Sequence, residues 1–490
     1  MLEWVFAVLI LIAAAVFWHL ASGSQSENLR GKSGRRNSGR VPSGGAGPVV
    51  LMCKPSALAK HLRRHCPAFR AFPAAPRWTW RASPLLQTAV AALRPCGRAV
   101  RFARDHLQVR DGGLVSLDWA LAGQAPPRAR RGTGSDPGAP VLLIVPSSFG
   151  KVTWSVLKLC ELGLTHGYAP VVFNRRGQNG TPLATPRLQS FGDAADLREA
   201  LRYVRYRRPA ARLYAASEGS GSGLLLSYLG ECGSSSHLTC AACLSPLLRG
   251  QAWYDSAPRW PYSAALLLHQ KICLSRYKTA LGEAIRTDAV FSCSTLRGLE
   301  EALFCQPEAK PPGTSAGREG GGVSREGGGV SREGGGVSWE EYWERNEPLR
   351  DVDEVAVPVL CVCSRDDPVR GEAATTLPFD LFHSNPHLFL LLTEQGGHCG
   401  FSEGGGGGAW GHRALLEFFR AVTDFFASEE RAKAASHRRG LRGGASGGAV
   451  TRGNSRGGSR QRGSISTCKQ LPACSHSIHS IYSWQRSYTR

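Results

Sequence analysis

A turn centred on residue 219 has the spacing of a nucleophile elbow, the strand-turn-helix junction that presents the attacking serine of many hydrolases. Such a junction needs small residues two positions before and two positions after the nucleophile, because its backbone is crowded. Ser217 and Gly221 meet both requirements for the position between them, which is occupied by Gly219. The sequence therefore predicts an elbow whose nucleophile slot, position 219, has no side chain that could attack a substrate.

Two serines follow this slot, but neither has the spacing that the junction requires. Ser220 has Glu218 two positions before it, and Ser222 has Leu224 two positions after it. A shift of the loop by one residue would bring the Ser220 hydroxyl into the nucleophile position. Ser220 therefore stays open as an alternative nucleophile.

A candidate acid and a candidate base follow two further apolar runs. Residues 357–364 lead into the adjacent carboxylates Asp366 and Asp367, and residues 388–392 lead into a Gly-Gly-His sequence that ends at His398. In a charge relay the imidazole takes the proton of the nucleophile, and the carboxylate orients the ring. Each motif alone also fits an ordinary turn. Their order after the elbow, acid and then base, is that of α/β hydrolases.

Residues so far apart in sequence need strands that end at a common edge of a sheet. Apolar runs alternate with stretches of helical periodicity through the middle of the chain. The predicted strands cover residues 141–145, 169–173, 212–216, 238–244, 357–364 and 388–392, and the predicted helices cover 154–165, 193–206 and 224–229. This alternation predicts an α/β fold, with a mostly parallel sheet wrapped by helices and functional sites at the carboxyl ends of the strands.

A cap is predicted at about 249–355, between two of these strands. Its apolar and aromatic residues include Trp253, Tyr254, Trp260, Tyr262, Leu266–Leu268, Trp339, Tyr342 and Trp343. Such a cap suits an acyl chain, although the same residues also fit the core of an ordinary helical subdomain. Within it, residues 312–338 contain a tandem Ser-Arg-Glu-Gly-Gly-Gly-Val unit, which we interpret as a low-complexity insertion.

The amino-terminal region predicts attachment to a membrane. Residues 1–23 contain an apolar run long enough for a membrane anchor, and the basic, Gly/Ser/Pro-rich linker predicted over 24–84 follows it. The basic flank would keep the main domain in the cytosol, at an endomembrane such as the endoplasmic reticulum. The alternative is a signal peptide that is cleaved, followed by secretion. The α/β-hydrolase domain is predicted over 85–430, and a disordered tail over 431–490.

Composition limits the classes of partner. The 490 residues carry a formal charge of +22, but the basic excess lies in the two flanks, and the middle of the chain is slightly acidic. No nucleic-acid-binding motif accompanies this charge, so no nucleic-acid partner is predicted. Cys240 and Cys243 form the sole CxxC, which lies in an apolar run and fits buried core residues better than metal ligands. No metal and no cofactor are predicted.

Several stretches resemble the AB hydrolase 4, or YheT-like, family of α/β hydrolases. They are Leu86-Gln87-Thr88, Asp111-Gly112-Gly113, Leu117-Asp118-Trp119, Phe173-Asn174-Arg175-Arg176-Gly177, Thr185-Pro186-Arg187, Leu224–Gly230, Asp366-Asp367-Pro368 and Gly396-Gly397-His398. Members of this family are similar to membrane-anchored ester and lipid hydrolases, and an amino-terminal hydrophobic anchor is typical of them.

The resemblance assigns roles to individual residues. It implies that Asp367 is the acid, that His398 is the base, and that Gly219 stands where the family has its nucleophile. The family's oxyanion loop corresponds to Ser147 and Ser148, and Ser147 replaces a glycine there. Acid and base therefore match the family, whereas the nucleophile and the oxyanion loop depart from it.

These observations lead to one main hypothesis and two alternatives. The main hypothesis is a membrane-associated α/β-hydrolase-like protein that regulates lipid metabolism, such as lipolysis, by binding a protein partner or an acyl-chain ligand without hydrolysis. The first alternative is an active serine hydrolase that cleaves carboxylic or acylglycerol esters with Ser220. The second is a scaffold whose carboxyl-terminal tail docks a partner.

Overall fold

The computed structural model describes residues 47–73, 83–93, 100–121, 138–147, 150, 152–256, 260, 262–305, 336–402 and 409–443. The predicted anchor at 1–23 lies outside these residues, as do most of the insertion at 312–338 and most of the tail at 431–490. Within the described ranges, no helix is both long enough and apolar enough to cross a membrane.

The described residues form a sheet of nine strands. In chain order the strands are β1 (Val49–Met52), β2 (Arg101–Gln108), β3 (Leu114–Leu121), β4 (Val141–Val145), β5 (Ala169–Asn174), β6 (Leu213–Glu218), β7 (Leu238–Leu244), β8 (Val359–Ser364) and β9 (Leu388–Thr393). Across the sheet the order is β1-β9-β8-β7-β6-β4-β5-β3-β2. The six strands from β4 to β9 pair in parallel, whereas β1, β2 and β3 pair antiparallel to their neighbours.

Strands β4 to β9 are apolar because helices cover both faces of the sheet. The helices are α1 (Ala57–His65), α2 (Pro84–Leu93), α3 (Trp154–Thr165), α4 (Ala195–Arg207), α5 (Gly221–Cys232), α6 (Gly250–Ser256), α7 (Tyr262–Ser275), α8 (Lys278–Gly282), α9 (Thr287–Ser292), α10 (Leu296–Phe304), α11 (Trp339–Asn346), α12 (Ala373–Thr376), α13 (Phe379–Ser384) and α14 (Trp410–Gly443). One face of the sheet packs on α4 and α5, and the other packs on α1, α3 and α14. The predicted α/β fold is confirmed, and all six predicted strands are present within two residues of their expected bounds.

The amino-terminal part of the domain differs from the prediction. Residues 47–73 fall within the predicted linker, yet β1 pairs antiparallel with β9 and α1 packs on α14. The apolar run of β1 is only four residues long, and its partner strand is more than 300 residues away in the sequence. Nothing local therefore marks this segment as part of the domain. At the other end, α14 extends past the predicted boundary at 430.

Helices α6 to α11 form the cap between β7 and β8. Its aromatic cluster contains Trp253, Tyr254, Trp339, Tyr342 and Trp343, and Phe191 of the body packs against it. The cap is joined to the body by hydrogen bonds at the carboxyl edge of the sheet. For example, Trp253 Nε1 donates to the Val369 carbonyl at 2.8 Å. The cap therefore lies against the loops that follow the parallel strands, where functional sites of this class of fold are found.

Candidate active site

The turn at Gly219 has the geometry of a nucleophile elbow without a nucleophile. Strand β6 ends at Glu218, Gly219 has a φ of +52°, and α5 begins at Gly221. A Cβ atom placed on Gly219 would lie 2.9 Å from His398 Nε2. The Gly219 amide donates to the Leu244 carbonyl at 2.9 Å, which fixes the turn to β7. The nucleophile slot therefore faces the imidazole, as the spacing in the sequence predicted.

The small residues around the slot are required by close packing. A Cβ on Gly221 would lie 2.3 Å from the Pro146 carbonyl oxygen. Ser222 is not directed at a substrate, because its hydroxyl donates to the Gly219 carbonyl at 2.6 Å and accepts from the Leu247 amide at 3.1 Å. Ser222 is thus a structural residue of the elbow.

Asp367 and His398 form the predicted acid–base pair. His398 Nδ1 donates to the Asp367 carboxylate, at 2.9 Å from Oδ2 and 3.1 Å from Oδ1. The amides of Val369 and Arg370 both donate to Asp367 Oδ1 at 2.9 Å. These bonds fix the carboxylate behind the ring, which leaves Nε2 directed at the nucleophile slot. The other carboxylate of the motif, Asp366, accepts the Gly397 amide at 2.9 Å and holds the histidine loop instead.

Residues that the sequence did not mark as functional hold the His398 loop in place. The His398 amide donates to Thr88 Oγ1 at 2.9 Å, and the Ser364 hydroxyl donates to the Gly397 carbonyl at 2.8 Å. The Cys399 amide donates to Ser245 Oγ at 2.9 Å. Thr88 lies in one of the stretches that resemble the family, and that stretch was the only signal that could have identified it.

Burial and charge act in opposite directions on the ionisation of this pair. Burial by itself lowers the pKa of His398, but the adjacent Asp367 carboxylate outweighs it and holds this pKa well above its ordinary value. Burial likewise raises the pKa of Asp367, but His398 and Arg370 outweigh that effect and keep it below its ordinary value. The pair therefore favours the form in which His398 is protonated and Asp367 is ionised, and in that form Nε2 presents a proton to the slot.

The predicted oxyanion loop is described in part. Ser147 follows β4, and its hydroxyl lies 2.8 Å from Ser220 Oγ. The Ser147 oxygen would be 4.0 Å from a Cβ on Gly219, so the two hydroxyls lie beside the slot. Ser148 lies outside the described residues. A Cβ on Gly219 would face the imidazole, whereas the hydroxyl of the alternative nucleophile Ser220 contacts the Ser147 hydroxyl.

A second polar cluster lies behind the elbow, and sequence reasoning missed it. The Ser155 hydroxyl donates to Glu218 Oε1 at 2.6 Å and lies 3.0 Å from His412 Nε2. All three side chains are buried. Since Glu218 directly precedes the slot, this cluster ties the elbow to α3 and α14. A buried glutamate in the elbow was the signal that could have pointed to it.

The chemistry available at this site follows from the side chains that line the nucleophile slot. His398, oriented by Asp367 through Nδ1, can exchange a proton at Nε2, but the slot supplies no oxygen that could form an acyl-enzyme. In the part of the chain that the structure describes, no cluster of three or more His, Cys, Asp or Glu side chains is placed to hold a metal ion. The arrangement is thus suited to binding a polar group next to an imidazolium.

A mostly parallel sheet, an elbow, and an acid and a histidine in that chain order define the α/β-hydrolase class. Protein ABHD15 of Homo sapiens is 47% identical over 461 residues, which cover 94% of this chain and 89% of that protein. Phospholipase ABHD3 of Mus musculus is 27% identical over 354 residues, which cover 71% of this chain and 77% of that protein. The chain therefore belongs to the family of α/β-hydrolase-domain proteins that includes Protein ABHD15.

More distant similarities extend beyond these two proteins. Monoacylglycerol lipase of Saccharomyces cerevisiae is 26% identical over 294 residues, which cover 59% of this chain and 61% of that protein. Among solved structures, 2,6-dihydroxy-pseudo-oxynicotine hydrolase matches 69% of this chain and 71% of its own at 13% identity, with a TM-score of 0.39. No family model matches the chain.

Proposed function

We propose that this protein is a pseudo-hydrolase that binds an acyl-chain ligand under its cap and regulates lipid metabolism without cleaving the ligand. The observation that carries the proposal is Gly219 in the nucleophile slot, opposite His398 Nε2. Loss of the nucleophile from a serine triad typically lowers turnover by a factor of about 10⁶. The names of the relatives Phospholipase ABHD3 and Monoacylglycerol lipase support lipids as the class of ligand.

The Asp367–His398 pair also offers a hydrogen-bond donor to a bound ligand. The carboxylate of Asp367 raises the pKa of His398 and so favours its protonated form. The Nε2–H group is then a charged donor that suits a carbonyl or carboxylate oxygen of a bound lipid. The cap beside the site is rich in aromatic residues, a composition that suits an acyl-chain ligand.

The test is covalent labelling of the purified full-length chain by a fluorophosphonate probe, together with turnover of short-chain and long-chain esters. We expect no labelling of the wild type and the same result for Ser220→Ala. A Gly219→Ser variant returns a hydroxyl to the slot and should gain labelling that depends on His398. Labelling and turnover by the wild type that disappear in Ser220→Ala would instead establish the active-hydrolase alternative.

Ligand binding is measured separately from turnover. Delipidated protein should bind a fluorescent fatty acid saturably, and Tyr254→Ala, which removes a central ring of the cap cluster, should weaken this binding. The exposed Tyr206→Ala provides a matched control for the loss of a tyrosine. If no lipid binds, the scaffold alternative remains, and deletion of residues 444–490 should then abolish co-purification of a protein partner.

We also propose that residues 1–23 anchor the protein in an endomembrane with the hydrolase-like domain in the cytosol. The apolar run and the basic residues behind it support this orientation. Protease protection of isolated microsomes tests it, because a cytosolic domain is digested without detergent. Protection of the domain, or its secretion with residues 1–23 removed, would favour the signal-peptide alternative.

A further inference from the structure

The side chain of Arg175 is buried at the same edge of the sheet as the nucleophile slot. Arg175 directly follows β5, which pairs with β4, and β4 pairs with the strand that leads into Gly219. The side chain lies under the cap, where Glu300 and Tyr254 are its electrostatic neighbours. Arg175 therefore lies between the cap and the edge of the sheet at which functional sites of this class of fold are found.

Arg175 carries a charge that its surroundings do not satisfy. The residue is 4% exposed, and its Nε and Nη2 atoms have no hydrogen-bond partner among the described residues. Burial lowers its pKa to about 10, so it is still protonated at neutral pH. A buried charged donor without a partner is destabilising, and such groups in proteins are normally paired. The absence of hydrogen-bond partners for Nε and Nη2 of Arg175 therefore requires an explanation.

The Nε and Nη2 atoms of Arg175 have the arrangement with which other arginines of this chain bind carboxylates. Arg176 places Nε and Nη2 on the two oxygens of Asp196, each at 2.6 Å. Arg104 does the same with Asp118, at 2.6 and 2.7 Å. The Nε/Nη2 pair is a planar fork that matches a carboxylate or a phosphate in two parallel bonds. On Arg175 this fork is present and is not used by the described residues.

The acidic side chain with the largest electrostatic effect on Arg175 does not fill the fork. Glu300 is buried with Arg175, but its oxygens accept the hydroxyls of Tyr342 and Tyr254, at 2.5 and 3.1 Å. Burial raises the pKa of Glu300 despite those two bonds and the attraction of Arg175. Glu300 is thus committed to the cap tyrosines. A group from outside the described chain is left to satisfy Arg175.

We propose that the Nε/Nη2 edge of Arg175 binds the oxyanion head of the ligand, a carboxylate or a phosphate, while its acyl chain packs on the cap. This inference rests on the proposed lipid-binding function and adds the charge of the ligand to it. The shared chemistry is an apolar chain with one anionic end, from either a fatty acid or an alkyl phosphate. A neutral ester or alcohol leaves the fork unsatisfied.

The experiment measures binding to the full-length protein by calorimetry, with decanoate, decyl phosphate and decanol as probes. We expect both anions to bind the wild type at least tenfold more tightly than decanol does. Arg175→Met should abolish this preference and leave decanol binding unchanged, and Arg175→Lys, which retains charge but loses the fork, should fall in between. The tighter of the two anions identifies the head group. Arg420→Met, at an exposed position, is the control for lost charge.

The thermal stability of the ligand-free variants provides a second test of the proposal. Because the charge is unpaired without ligand, Arg175→Met should be at least as stable to heat as the wild type. A marked loss of stability would mean that Arg175 has a structural role and would overturn the proposal, as would equal anion binding by Arg175→Met and wild type. If decanol binds and the two anions bind no more tightly than decanol does, the role of Arg175 is wrong but the proposed lipid-binding function is not. If none of the probes binds the wild type, the proposed function fails with it.

Discussion

A side chain in the nucleophile slot would require the imidazole of His398 to shift. A Cβ on Gly219 would lie 2.9 Å from His398 Nε2, which is closer than a carbon and a ring nitrogen approach without displacement. The imidazole therefore occupies part of the space that a nucleophile would use. The missing side chain and the position of the ring therefore fit each other.

This close approach predicts the effect of adding one methyl group. Gly219→Ala should lower the free energy of unfolding by about 1–3 kcal/mol, because a left-handed backbone costs a non-glycine residue about 1–2 kcal/mol and the ring must also move. Urea denaturation measures the change. Gly282→Ala is the control, since a Cβ there meets nothing closer than 3.9 Å. Equal stabilities for Gly219→Ala and wild type would mean that the slot has room for a side chain.

The Asp367–His398 pair predicts a dependence of stability on pH. The folded pKa of His398 lies above its unfolded value of 6.5, so its stabilisation is complete below pH 6.5 and is lost as the pH rises through the folded pKa. The folded pKa of Asp367 lies below 3.8, so its contribution is lost only in acid, as the pH falls through that lower value. The pair should therefore stabilise the fold most between these two limits.

The measurement compares wild type with His398→Gln by urea denaturation at about pH 6 and about pH 9. Removing one partner of a buried pair costs about 3–5 kcal/mol, so a difference of that order is expected at the lower pH and a smaller one at the higher pH. His383→Gln, on the surface, should change little at either pH. A difference that is constant across this range, or that grows with pH, contradicts the imidazolium–carboxylate assignment.

The sequence predicted the central residues of the site because their spacing reflects local backbone geometry. The small-residue rule identified Gly219, and the strand ends identified Asp367 and His398. Thr88 and Arg175 could not be assigned roles in this way, because their importance depends on contacts across the fold. Thr88 Oγ1 accepts a hydrogen bond from the His398 amide, and Arg175 is identified by two nitrogens that have no hydrogen-bond partner among the described residues.

At the scale of elements, α5 packs closely on its neighbours because two of its first residues are glycines. A Cβ on Gly221 would lie 2.3 Å from the Pro146 backbone oxygen, and a Cβ on Gly223 would lie 2.3 Å from a ring carbon of Phe191. The first contact is with a backbone atom, and the second is with a side chain that can be shortened. The two glycines should therefore respond differently to a compensating substitution.

A double-mutant cycle tests this difference. Gly221→Ala and Gly223→Ala should each lower the free energy of unfolding by about 1–3 kcal/mol through overpacking. Adding Phe191→Leu should recover much of the loss for Gly223→Ala and none of it for Gly221→Ala, since coupling is expected only between residues in contact. Thermal or urea unfolding of the single and double variants gives the coupling energies. Equal coupling of both glycines to Phe191 would contradict the packing described.

The sequence predicted the parallel strands well and the edge strands poorly, for a physical reason. Strands β4 to β9 are buried on both faces, so they are continuous apolar runs. Strand β2 mixes arginine, aspartate and histidine with apolar residues, because it lies at the edge of the sheet. Strand β1 is short and depends on a partner at the far end of the chain.

At the scale of the whole molecule, the two ends of the described domain pack together. The Ala68 amide donates to Glu417 Oε2 at 2.8 Å, and Trp410 Nε1 donates to the Ala71 carbonyl at 3.1 Å. The ring of His61 packs against the ring of Phe425 at 5.4 Å between centroids. Residues 57–71 therefore complete the core on the α14 face of the sheet, and they belong to the cooperative unit.

This arrangement predicts that a substitution in α1 destabilises the whole domain. Leu62 is fully buried in the core shared with α14, so Leu62→Ala should lower the free energy of unfolding by about 2–5 kcal/mol. Leu268→Ala, at a residue that is 45% exposed on α7, should change it by less than about 0.5 kcal/mol. Urea unfolding followed by tryptophan fluorescence reports the loss, because the tryptophans lie mostly in the cap and body. If residues 47–73 were only a linker, the two variants would be equally stable. Equal stabilities would therefore contradict the assignment of residues 47–73 to the folded domain.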